Sequence, residues 1–161
     1  MSIKPGDRLP KANFAVMTPD GPAVRTTDEI FKGRRVALVG VPGAFTPTCS
    51  NVHLPGFADR LDAFKAKNVD AVAVVSVNDV FVMTAWAKDT GTGGRLLFLA
   101  DGNGDFARAV GLPLDLTERG LGVRSQRYAM LVDDGVVRVV NVETSPGKAE
   151  ASSAEALLEA I

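Results

Sequence analysis

Of the residue types that most often carry redox, metal or base chemistry, this chain of 161 residues holds little: one cysteine, one histidine, one tryptophan and one tyrosine. A single cysteine cannot form an internal disulfide, and scarce cysteine is the pattern of a reducing compartment. The N-terminal Met1-Ser2-Ile3-Lys4-Pro5-Gly6-Asp7 also lacks the apolar core of a signal peptide. A soluble, cytoplasmic protein is expected. One Cys and one His fall short of the roughly four ligands a structural zinc requires, so no metal is expected. Charge of one sign is missing too: 18 basic residues face 19 acidic ones, for a net charge of −1. With no basic run or stripe, the electrostatic footprint of a nucleic-acid binder is absent. Apolar runs such as Asp70-Ala71-Val72-Ala73-Val74-Val75-Ser76-Val77 are strand-length, far below the roughly 20 residues a membrane helix needs. Neither nucleic acid nor membrane is an expected partner.

The length suits one hydrophobic core, and no repeat or long Pro/Gly/Ser linker marks a boundary, so residues 1–161 are read as a single domain. Arg35 to Val41 and Val69 to Val77 are continuous Val-rich runs, the pattern of strands buried on both faces of a parallel sheet. Between them Leu54, Phe57, Leu61 and Phe64 recur at spacings of three and four, which predicts one helix. Pro55 lies inside it and predicts a kink or restart. A further helix opens at Asn78 or Asp79 and runs through Trp86; a strand follows over Leu96 to Ala100 and a short helix over Asp105 to Val110. Arg127 to Val132 and Val136 to Val142 flank Asp133-Asp134-Gly135 as a hairpin, and Ala151 to Ile161 closes the chain as an amphipathic helix. The order defines an α/β fold, a mixed central sheet flanked by helices.

Cys49 ends the stretch Pro42-Gly43-Ala44-Phe45-Thr46-Pro47-Thr48-Cys49, between a buried strand and a helix. Capped by Thr48 or Thr46, that helix would hold Cys49 in its first turn, where the positive end of the macrodipole favours thiolate. A buried free cysteine can equally act as a small hydrophobe. His53, four residues on, shares a helix face with Cys49, as a thiol hydrolase would require, or simply packs at the kink before Pro55. No third, orienting group is assignable. Asp101-Gly102-Asn103-Gly104-Asp105 lacks the length and terminal Glu of a calcium loop and reads as a turn plus helix cap. Arg127 opens a predicted strand, turned by alternation to the face of Ala129 and away from Tyr128. It is either an exposed sheet-edge arginine or a fork donor near a thiolate.

Pro42-x-x-x-Thr46-x-x-Cys49 resembles the peroxiredoxin active-site signature. The fuller Pro-Gly-Ala-Phe-Thr-Pro-Thr-Cys-Ser, with His53-x-Pro55-Gly56, is similar to the type-five subfamily, called type II in plants. Ser76-Val77-Asn78-Asp79, Met83-x-x-Trp86 and Gly120-Leu121-Gly122-Val123-Arg124-Ser125 with Arg127-Tyr128 extend the likeness over nearly the whole chain. The resemblance implies a thioredoxin-like fold with an N-terminal extension. It implies that Cys49 is the peroxidatic nucleophile, that Thr46 bonds the thiolate and peroxide oxygens, that Pro42 shields the sulfur, and that Arg127 holds the thiolate and polarises the O–O bond. It also implies a homodimer through a face near the site.

Many relatives carry a resolving cysteine, which this chain lacks. A one-cysteine, thiol-dependent peroxidase follows, acting on hydrogen peroxide and small organic hydroperoxides, with no bound cofactor. Its sulfenic acid is expected to be cleared by an outside thiol, glutathione with glutaredoxin first and thioredoxin next. The alternatives are a peroxide sensor acting through Cys49 adducts with a partner protein, and a Cys49–His53 hydrolase.

Overall fold

The two Val-rich runs form the centre of a seven-stranded sheet. The computed structural model describes residues 2–145 and 147–161. Strands β1 (Asn13–Thr18) and β2 (Gly21–Thr26) form an N-terminal hairpin, and the short helix α1 (Thr27–Phe31) leads into β3 (Arg35–Val41). A π-helical turn (Cys49–His53), α2 (Leu54–Ala58) and α3 (Leu61–Ala66) carry the chain to β4 (Ala71–Ser76). Then come α4 (Val80–Thr90), β5 (Leu97–Ala100) and α5 (Asp105–Ala109), followed by the small pair β6 (Pro113–Leu116) and β7 (Gly122–Ser125). The hairpin β8 (Tyr128–Asp133) and β9 (Val136–Val142) and the helix α6 (Ala154–Ala160) complete it.

The strand order is β2-β1-β5-β4-β3-β8-β9, with β3, β4 and β5 parallel to one another and β1, β8 and β9 antiparallel to their neighbours. This is the mixed sheet of a thioredoxin-like fold. Alternate residues of β3 enter two cores. Ala37, Val39 and Val41 pack under α2, α3, α4 and α6 with Phe57, Phe64, Trp86 and Leu157. Val36 and Leu38 face α1 and α5 with Phe31, Phe106, Tyr128 and Met130. Burial on both sides is what makes the run continuously apolar. At Gly40 a side chain is excluded: a Cβ there would lie 2.1 Å from the Tyr128 ring, its antiparallel partner on β8.

The helix after Cys49 does restart, but between α2 and α3 rather than at Pro55, where the kink or restart was expected. Arg60, at φ −118 and ψ 22, breaks it, after a segment whose Pro55 and Gly56 contribute little helix propensity. The apolar spacing survives the break, and Phe57 still stacks on Phe64 with ring centroids 5.5 Å apart. Pro55 stands at the start of α2, directly after the π-helical turn, and has no N–H to donate back into that turn. The hairpin turn was legible from Asp134 and Gly135, which adopt φ values of 50 and 79, the left-handed pair of a type I′ turn. The closing helix starts three residues later than expected, because Ser153 caps it by accepting from the Ala156 amide. Among the described residues no helix is long and apolar enough to cross a membrane.

Candidate active site

The end of β3 delivers the chain into the loop that carries the thiol. Pro42 is buried directly after Val41, and Phe45 takes a left-handed φ of 66 with half its surface exposed. The strain of a non-glycine residue there is tolerated only where neighbours hold the loop. Asn78, just past β4, does so: its Oδ1 accepts from the Ala44 amide at 3.0 Å and from the Ser76 hydroxyl at 2.6 Å. Arg124 closes the other side, donating to the carbonyls of Leu121 and Val77.

Residues 47–48 are helical, and the Ser50 amide bonds to the Thr46 carbonyl at 2.9 Å, closing the first turn around Pro47, Thr48 and Cys49. Cys49 is therefore in the first turn, as its spacing predicted, though not through the expected side-chain caps. Thr48 makes no such cap and donates to the Gly147 carbonyl. Thr46 directs its hydrogen to the Gly43 carbonyl at 2.8 Å. From Cys49 the helix widens: the Leu54 amide reaches back five residues to the Cys49 carbonyl. Such π turns recur at functional sites. The Trp86 indole N–H fastens this turn by donating to the Ser50 hydroxyl at 2.9 Å.

Cys49 has no exposed surface. Arg127, which alternation placed on the face of Ala129, is buried with it at 2 % exposure and is no sheet-edge arginine. Its Nη2 donates to Cys49 Sγ at 3.1 Å, and its Nη1 lies 3.0 Å from His53 Nδ1. Guanidinium can only donate, so Nδ1 must accept. The imidazole hydrogen is then on Nε2, which donates to the Ser152 carbonyl at 2.9 Å. Ser152 is held in turn by Glu143, whose Oε1 accepts from its amide at 2.8 Å and its hydroxyl at 2.9 Å. His53 also packs edge-on against Phe57.

This geometry removes the Cys–His hydrolase arrangement. Both ring nitrogens of His53 are engaged by other groups, and none is left to take a proton from sulfur. Burial, reinforced by the Arg127 guanidinium, pushes the His53 pKa down to about 4, against the Ser152 carbonyl and Glu143, which pull it up. An unfolded histidine titrates near 6.5. Between about pH 6.5 and pH 4 the unfolded chain therefore binds a proton that the folded chain refuses, and stability falls as pH falls through that window. The expected loss is roughly 3 kcal/mol from pH 7 to pH 4. Urea denaturation at pH 7, 5.5 and 4 measures it, and His53→Gln should flatten the profile; an equal slope in that variant would assign the loss to other groups.

Of the residues singled out from the sequence, the structure brings Cys49 and Arg127 into direct contact, sets Thr46 one helical turn away, and buries Pro42 at the end of β3. Asp101 is a cap, its carboxylate accepting from the Phe106 and Ala107 amides. Glu143 and Ser152 were missed. No local pattern marks them, since Ser152 meets His53 across 99 residues of sequence.

A thioredoxin-like sheet that presents a buried thiol to an arginine at a strand-to-helix junction is the architecture of a redoxin, and the Redoxin family matches residues 4–158. Chloroplastic peroxiredoxin-2E of Arabidopsis thaliana is 46% identical over 99% of this chain and 70% of its own length. The crystal structure of reduced Prx3 in complex with hydrogen peroxide from Vibrio vulnificus superposes with a TM-score of 0.93 at 47% identity, covering 98% of each chain. Peroxiredoxin 5 of Alvinella pompejana gives 0.86 at 35% identity, over 98% of this chain and 97% of that one. The chain belongs to the peroxiredoxins, the thiol peroxidases, and is similar to their type II and type-five members.

Proposed function

We propose that the chain reduces hydrogen peroxide and small organic hydroperoxides at Cys49 and is regenerated by an outside thiol. The contact of Arg127 Nη2 with Cys49 Sγ, 3.1 Å and buried, carries this reading. A buried cation donating to sulfur stands where negative charge has to be held during the reaction, and the thiolate is the nucleophilic form of a cysteine. Sulfur attacks the terminal peroxide oxygen: an S–O bond forms, the O–O bond breaks, and its electron pair leaves with the distal oxygen. That oxygen takes a proton and departs as water or an alcohol, leaving Cys49 as a sulfenic acid. The guanidinium, already oriented, follows the negative charge as it moves from sulfur to oxygen. Thr46 donates to Gly43 and so keeps its lone pairs for the O–H of an incoming peroxide. Pro42, buried at the end of β3, takes in this reading the shielding role that the family signature implies.

The chain holds no second cysteine. A thiol from outside condenses with the sulfenic acid, releasing water and forming a mixed disulfide, and a second thiolate attacks that bond, leaving Cys49 reduced and the two outside sulfurs joined. Glutathione with glutaredoxin is the proposed donor, thioredoxin the second. The reading extends to a cytoplasmic homodimer paired through the face that bears exposed Phe45. The test is peroxide consumption with glutathione alone, with glutathione plus glutaredoxin, and with thioredoxin, side by side. Turnover should be fastest with glutaredoxin present. Faster turnover with thioredoxin reverses the donor assignment, and no turnover with any of them leaves Cys49 without a catalytic cycle.

A further inference from the structure

The polar contacts behind Arg127 form a closed circuit. Glu143 follows β9, and its backbone amide donates to the Arg127 carbonyl at 2.9 Å. Its carboxylate grips Ser152 by two hydrogen bonds; the Ser152 carbonyl accepts from His53 Nε2; and His53 Nδ1 accepts from the Arg127 guanidinium. All four residues are buried, Glu143 at 8 % exposure and Ser152 at 0 %. Two partners would suffice to satisfy a buried histidine. A buried carboxylate that accepts from both the amide and the hydroxyl of one serine is a costlier device, because desolvating its charge must be offset.

We infer that Glu143 and Ser152 are positioning residues for the peroxide reaction: they fix the tautomer of His53, and His53 in turn fixes the guanidinium of Arg127 against Cys49. This rests on the peroxidase reading of Cys49. With the Ser152 carbonyl held in place, the imidazole must carry its hydrogen on Nε2 and offer a bare Nδ1 to Arg127. Were Ser152 free to turn, the ring could place a hydrogen on Nδ1 instead. Two donors would then face one another, and Nη1 would be driven from the ring, taking Nη2 away from Sγ. Misplacing a group that orients the reacting atoms by about 1 Å can cost on the order of 10²-fold, even from a substitution away from the chemistry. The circuit also ties the site to the start of α6, since Ser152 directly precedes its cap, Ser153.

The chain's only histidine gives one set of ring-nitrogen resonances, so the tautomer can be read without assignment. In the unaltered protein Nε2 is expected to carry the hydrogen. In Glu143→Ala the signals should move toward a mixture of tautomers, and the second-order rate constant for sulfenic acid formation should fall about ten-fold or more, with a cooperative thermal transition retained. Glu143→Gln, which keeps an acceptor, should recover part of both. Should Glu143→Ala not fold, Ser152→Ala removes one of the two grips alone and is expected to move both readings in the same direction. An unchanged tautomer, or an unchanged rate constant, in whichever variant is folded overturns the inference. If the unaltered protein forms no sulfenic acid, the peroxidase reading fails instead, and the ring-nitrogen spectra still decide whether Glu143 sets the tautomer.

Discussion

Cys49→Ser is expected to consume no peroxide above the rate of the thiol donor alone. Serine at a neutral pH is not ionised to any useful extent, whereas the thiolate is the form that attacks. No other sulfur can substitute, since the chain's remaining sulfur-bearing residues are its 4 methionines. The exchange should leave the fold intact: a hydroxyl can accept from Arg127 as the sulfur does, and the change in volume is small. Intact mass after one equivalent of peroxide provides an independent reading, with the native protein one oxygen heavier and the variant unchanged. Peroxide turnover retained by a folded Cys49→Ser protein ends the assignment of Cys49 as nucleophile.

Removing the cation comes next in size. Arg127→Gln should slow sulfenic acid formation by about 10²- to 10³-fold, the loss typical when one preorganised donor to a developing oxyanion is removed. Arg127→Lys should fall between, because an ammonium keeps the charge but cannot hold sulfur and His53 with two arms of a planar fork. Stopped-flow measurement of the reaction with hydrogen peroxide distinguishes them. A glutamine variant within about two-fold of the native rate would relegate Arg127 to a structural role, whatever its distance from Sγ.

The parts of this molecule that could be read from sequence are those whose cause is local or periodic. Val36 to Val41 is apolar throughout because both faces of β3 are covered, and that pattern needs no knowledge of what covers them. Asp134-Gly135 declares its turn because few residue pairs adopt two left-handed conformations. The N-terminal hairpin went unread as strands: β2 is an edge strand, with Pro22 within it and alternate residues exposed, and its pattern is faint. Cys49 was legible from its place at a strand-to-helix junction. Arg127 was legible only in part. Alternation gave its face, Ala129 sharing the core of Cys49 and Tyr128 the opposite one, but its burial depended on a tertiary neighbour. His53 was read with no orienting partner, yet it has two. Arg127 and Ser152 come to it from 74 and 99 residues away, and no spacing rule spans such distances.

The complete burial of Cys49 sets two clocks for the cycle. A sulfur without exposed surface meets a reactant only when something moves. For a peroxide of a few atoms, side chains at the mouth must part, a motion of picoseconds to nanoseconds. If the donor is a protein, as proposed, its cysteine must be brought within bonding distance of Cys49, and backbone must yield. The π turn, fastened by Trp86 and Ser50 on one side and by the Thr48–Gly147 contact on the other, is the segment that would open, on a scale of microseconds or longer. With such a donor, oxidation would be admitted through a shutter and reduction through a door, and the door would govern how long each molecule remains spent.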